Sequence, residues 1–187
     1  MAEIAGLTLI TPSSVAATGA GSSASVSASG KVTFTTAVTL TVNGAFTASY
    51  DNYLIVTRMV QTVSQPTFGS LYLQVTTSGT AATSGYTSQR LRATSTTVQG
   101  SRFSSAAAQI GEIYGGLQNG LHVYFYGPYL SQPTALRSIS ASAKDTATIA
   151  DYAATHSTST SYDGFRLTDD GVGRAFTGTL TIYGLSQ

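Results

Sequence analysis

The sequence predicts an all-β fold: a single antiparallel β-sandwich of jelly-roll type, with about ten strands and little helix. Three observations carry that prediction. Only 9% of the residues are charged, against roughly 25% in an average domain. Twenty-five Ser and thirty Thr occupy the space where the charged residues of helix surfaces normally sit, and Thr, Val and Tyr suit a pleated surface better than a helix. Apolar residues recur at every second position in many short runs, and no segment keeps them at i, i+3, i+4 and i+7 over three turns.

The elements follow in order. Leu7 and Leu9 alternate with Thr8 in a first short strand. Residues 12–30 are small and of low complexity, and read as a loop or a weak edge strand. Val32 and Phe34 define the next strand, and Val38, Leu40 and Val42 another, which stops at the Asn43-Gly44 turn. Tyr53-Leu54-Ile55-Val56 is a continuous apolar run, the pattern of a strand buried on both faces. Leu71, Leu73 and Val75 point opposite to Tyr72 and Gln74. Residues 79–118 carry Arg90, Arg92 and Arg102 in a Ser/Thr-rich stretch and fit either strand or a helical turn near Ala106–Ile110. Beyond them Leu121, Val123 and Phe125 alternate with His122, Tyr124 and Tyr126. Ile139 and Ile149 mark weaker patterns, Phe165 and Leu167 flank Arg166, and Phe176, Leu180 and Ile182 form the clearest strand. The expected core is Val32, Phe34, Leu40, Leu54, Val56, Leu71, Leu73, Val123, Phe125, Phe165, Leu180 and Ile182.

A length of 187 residues suits one domain, 1–187, with residues 1–30 as a small-residue segment available for assembly contacts. At 42% hydrophobic residues the chain buries a real core. A formal charge of +1 without a basic tract argues against nucleic-acid binding. With no cysteine, thiolate catalysis and Cys-ligated metals are excluded. The N-terminus lacks the basic region of a signal peptide. No run approaches the roughly 20 apolar residues of a membrane helix, so synthesis in a cytoplasm without membrane insertion is expected.

Catalytic and metal chemistry find little footing. His122 and His156 are the two histidines, no GxSxG elbow accompanies them, and His122 reads as the outer face of a strand. Asp169-Asp170 before Gly171 and Gly173 lacks the alternating oxygen ligands of a calcium loop. Nothing selects a carboxylate pair for glycoside cleavage from two Glu and six Asp. No catalytic residue, metal or cofactor is therefore assigned. Eleven Tyr in a charge-poor chain offer amphipathic rings, which suit adaptable recognition as well as the cover of core edges. His122, Tyr124 and Tyr126 on one strand face are the candidate recognition surface.

The succession Gly6-Leu7-Thr8-Leu9-Ile10, Lys31-Val32-Thr33-Phe34-Thr35, Val42-Asn43-Gly44-Ala45-Phe46 and Tyr50-Asp51-Asn52-Tyr53-Leu54-Ile55-Val56 resembles small tailed-bacteriophage virion structural proteins of the minor tail and tail-fibre type. Leu71–Thr80, Tyr162-Asp163-Gly164-Phe165 and Gly178–Gly184 extend the resemblance along the chain. The resemblance implies an all-β virion component without catalysis, placed in the virion, most simply as a tail-associated subunit contacting the host. A capsid decoration protein is the alternative, and a glycan-cleaving or other hydrolytic virion enzyme stands behind both. Expected partners are other virion proteins, further copies of the chain (a trimer first), and a host-surface glycan or protein.

Overall fold

Alternation of small polar and apolar residues is realised as sixteen strands among the described residues. The computed structural model describes residues 6–62, 68–143, 148–169 and 173–185. In order the strands are β1 (Leu7–Ile10), β2 (Ser14–Thr18), β3 (Ser23–Val26), β4 (Val32–Ala37), β5 (Thr39–Asn43), β6 (Asn52–Gln61), β7 (Phe68–Thr77) and β8 (Thr80–Ala81). They continue with β9 (Tyr86–Thr94), β10 (Thr97–Ser105), β11 (Ala108–Tyr114), β12 (Gln118–Tyr126), β13 (Thr134–Ser142), β14 (Thr148–His156), β15 (Gly164–Thr168) and β16 (Phe176–Leu185). No helix occurs among the described residues. The large sheet runs β10-β9-β14-β13-β12-β6-β16-β4-β3, with β1 on β16, and the small sheet runs β11-β7-β15-β5-β2, with β8 on β7. The strand ladders are antiparallel throughout, so the fold is the jelly-roll-type sandwich the composition predicts. The strand number exceeds ten because the small-residue segment supplies β2 and β3, and the ambiguous stretch 79–118 supplies β8 to β11.

The core lies between the sheets, where Phe34, Phe46, Tyr53, Phe125, Phe165 and Phe176 are fully buried. Phe46 sits 4.9 Å from both Tyr53 and Phe125, centroid to centroid, in tilted contacts that fill the middle of the sandwich. The expected core residues are buried with one exception. Tyr53 and Ile55 face inward on β6, whereas Leu54 and Val56 lie on the outer face, Leu54 between Tyr124 and Tyr183 and Val56 only half-buried. The continuous apolar run is thus one inward row and one covered outward row, not a strand with core on both sides.

At one end of the sandwich polarity is inverted. The inner row of β13 is Thr134, Leu136, Ser138 and Ser140, while Ile139 and Ile149 stand outside at 43% and 64% exposure. The cause is the close approach of β11, all of whose residues are buried. A Cβ on Gly111 would come within 2.4 Å of Leu121 Cδ2, and Ser138 Oγ donates to the Ile110 carbonyl at 2.6 Å. Bulky aliphatics do not fit under β11, so small hydroxyl residues take the inner positions and the aliphatics are displaced outward.

Candidate functional site

The outer face of the large sheet gathers the side chains that sequence reasoning singled out. Strand register places Tyr124 in one row with Leu54, Arg137, Ala153, Gln89 and Arg102 across β6, β12, β13, β14, β9 and β10. The next row toward one end is Tyr126, Ala135, Thr155 and Thr87, and toward the other His122, Ile139, Asp151, Leu91 and Gly100. His122 and Tyr126 are exposed and Tyr124 is half-buried, so the three expected recognition residues do share one face.

Beside them lies a feature that the sequence reading did not contain. Alanines at 135 and 153 leave the middle of this face low between taller neighbours. One open depression of about 530 Å³ is lined by Gln89, Leu91, Gly100, Arg137, Asp151 and Ala153, and by Arg90, whose guanidinium turns beneath the sheet to Glu112. A second of about 270 Å³ is lined by Thr87, Gln89, Ala135, Ala153 and Thr155. They share Gln89 and Ala153 and form one shallow groove that follows β14. Arg137 spans the groove wall as a fork, its Nε 3.1 Å from Asp151 Oδ1 and its Nη2 2.5 Å from Oδ2. That hydrogen bonding, with the carboxylate charge, raises the guanidinium pKa further. The pair contributes no net charge. The groove therefore presents amide, hydroxyl and matched-charge groups, with Leu91 as an aliphatic wall and Tyr124 next to Arg137.

Directly beneath, a second polar cluster is sealed. Glu112 on β11 is 3% exposed and meets Arg90 Nη1 at 2.7 Å and Arg92 Nε at 3.2 Å. Arg92 Nη2 donates to Tyr114 Oη at 3.2 Å, Arg90 Nη2 donates to Ser101 Oγ at 3.3 Å, and the Arg90 guanidinium lies 5.6 Å over the Phe103 ring. Burial, and then the Glu112 charge, push the Tyr152 hydroxyl well above its ordinary range. No water-sized space opens between Glu112, Tyr114, Ser140, Ser142 and Thr148. This cluster locks β9 to β11 and offers no access to a ligand. The sequence held its signal in Arg90 and Arg92 at alternate positions, which puts both on one strand face with Ser88.

His156, Asp163 and Asp169 have structural partners. His156 is buried between Tyr86 and Tyr162, at 4.5 and 5.2 Å between centroids, with Nδ1 3.2 Å from Tyr162 Oη. Burial lowers its pKa. The Asp163 carboxylate accepts from the Ser78 amide, and Asp169 accepts from the Arg174 amide. Asp170 and Gly171, weighed above as a metal loop, lie outside the described residues. No group of three metal-binding side chains occurs among the described residues.

Comparison with known proteins corrects the expected role. No family model and no curated protein matches the chain. Among solved structures the chain is similar to alginate lyase A1-II′, a member of polysaccharide lyase family-7. The two are 10% identical over 88% of this chain and 84% of that one, with a TM-score of 0.28. That protein is a polysaccharide lyase, not a virion component. The tail-associated reading and its capsid-decoration alternative find no counterpart in these comparisons and are not carried forward. At that identity and TM-score the lyase's activity does not carry over to this chain either.

Proposed function

We propose that this chain is a non-catalytic binding module whose ligand is an uncharged, hydroxyl-rich polymer, a glycan, lying in the groove along β14. The observation that carries this reading is the groove itself: a floor of Ala153, a wall of Gln89 and Leu91, and an Arg137–Asp151 fork opposite. Planar forks and amides of this kind bond pairs of adjacent hydroxyls, and an aromatic side chain such as Tyr124 covers the apolar face of a ring. A neutral pair selects against highly charged ligands. Shallowness and length along a strand suit a section of polymer more than a small enclosed substrate. Lack of catalysis is supported by the engagement of the carboxylates named above: Glu112 between two arginines, Asp151 on Arg137, and Asp163 and Asp169 on backbone amides.

A glycan array tests the proposal, followed by incubation of each bound glycan with the protein and assay for released chain ends. Binding without release is expected. Ala153→Trp, which fills the groove floor, abolishes binding while the far-ultraviolet spectrum is unchanged. Release of chain ends, or binding undiminished in Ala153→Trp, overturns the reading.

A further inference from the structure

Strand β10 closes one side of the large sheet, pairs among the described residues only with β9, and is exposed at seven of its nine residues. Such a long free edge is normally guarded by lysine, proline or a bulge. Here the register to β9 is unbroken, and Arg102 is the sole charge in Thr97–Ser105. We infer that the free edge of β10 is the self-association surface of the chain, pairing antiparallel with β10 of a second copy across a twofold axis at Ser101.

The register follows from the hairpin. Thr94 and Thr97 close a two-residue turn with Ser95 at φ 53°, as primed hairpin turns require. Their pair is therefore hydrogen-bonded, and hydrogen-bonded pairs recur at every second residue. Val98, Gly100, Arg102 and Ser104 consequently direct their amides and carbonyls to the free edge. Centring the axis on Ser101 leaves all nine residues paired: Gly100 lies opposite Arg102 of the second copy, Val98 opposite Ser104, and Gln99 opposite Phe103. Shifting the sum of paired positions up by two sets Arg102 against Arg102, which like-charge repulsion disfavours. Shifting it down by two shortens the ladder. Electrostatics permit the centred register, because each lone arginine meets a glycine without a side chain, and a net charge of +1 per chain gives little repulsion between copies.

A twofold axis across an antiparallel ladder stands perpendicular to the sheet, so both copies turn their grooves to the same side. Arg102 of the second copy then lies beside Gly100, at the rim of the groove. The two β14 strands stand five strand spacings apart, about 24 Å, close enough for one polymer to engage both sites. This last consequence rests on the glycan reading, whereas the pairing itself does not.

Light scattering on the purified chain without ligand reads the pairing directly. A dimer of twice the 19.2 kDa chain mass is expected. Gly100→Pro removes an edge donor without touching the ladder to β9, and a Cβ at this position meets nothing within 4 Å; Val98→Lys places a charge on the edge. Both run as monomers. The chain has no cysteine, so Ser101→Cys reports without background. Facing residues in a non-hydrogen-bonded pair have Cα atoms about 4.5 Å apart, within disulfide range, and Ser101→Cys cross-links under oxidation while Val98→Cys does not. A wild-type monomer at all concentrations, a dimer that persists in both edge variants, or a dimer that Ser101→Cys fails to cross-link overturns the inference. None of these outcomes bears on whether the groove binds a glycan.

Discussion

Glu112 is the residue whose removal most exposes the physics of this sandwich. Its carboxylate is nearly inaccessible and separates two guanidinium groups that are themselves only 14% and 17% exposed. Glu112→Ala leaves both cations buried without a counter-charge, a situation that costs about 3–5 kcal/mol. Domains of this kind hold about 5–15 kcal/mol in total, so the variant sits near the edge of folding. With a urea slope of about 2 kcal/mol/M, the unfolding midpoint falls by about 1.5–2.5 M. Removing all three charges together, with Arg90→Met, Arg92→Leu and Glu112→Leu, restores most of the loss, because a packed apolar cluster needs no compensation. Chemical denaturation followed by circular dichroism measures both. A change in Glu112→Ala within about 0.5 kcal/mol, the range of surface substitutions, refutes the reasoning. So does a triple variant no more stable than the single one.

Three further outcomes follow from the same structure. Phe125→Ala, at a ring with 0% exposure packed on Phe46 and Phe165, loses about 3–5 kcal/mol in the same denaturation assay. Gly178→Ala sets a methyl 2.2 Å from the Arg58 carbonyl oxygen and forces β16 from β6; its melting temperature falls sharply, whereas Gly100→Ala, with open space around the new methyl, melts as the parent does. His156 has its pKa lowered below the ordinary 6.5 by burial, so the folded state binds fewer protons than the unfolded chain in acid. Stability is therefore full above that value and declines as the pH falls below it. His156→Gln flattens the profile in that window, read from melting temperatures across a pH series.

Much of the sandwich was legible because strand period is a local property. β12 shows this best: Leu121, Val123 and Phe125 face the core and His122, Tyr124 and Tyr126 face outward, as alternation alone dictates. Alternation failed where a third element set the space. Ile139 and Ile149 mark only weak patterns in the sequence, because the approach of β11 reserves the inside of β13 for Ser138 and Ser140. Such an approach depends on Gly111 and on contacts distant in sequence, and no local pattern reports it. The groove was illegible for a related reason. Its floor is a small residue, Ala153, which carries no chemical signature, and its walls come from β9 and β13, joined to β14 only by register. The outward row of β12 could be seen in the sequence; the depression beside it could not. The Arg90–Glu112–Arg92 cluster was half visible, since two arginines at alternate positions must share a face, but their acid lies twenty residues onward in the other sheet.

Amide chemical-shift mapping with a glycan that binds on the array tests the central claim most directly, because it locates the ligand without assuming a site. Perturbations confined to the outward residues of β9, β13 and β14, with Gln89, Arg137, Asp151 and Ala153 at their centre and Tyr124 at their margin, are the predicted result. Perturbations clustered on the small sheet, on β4 and β5, or around the inward residues of β11 would contradict it.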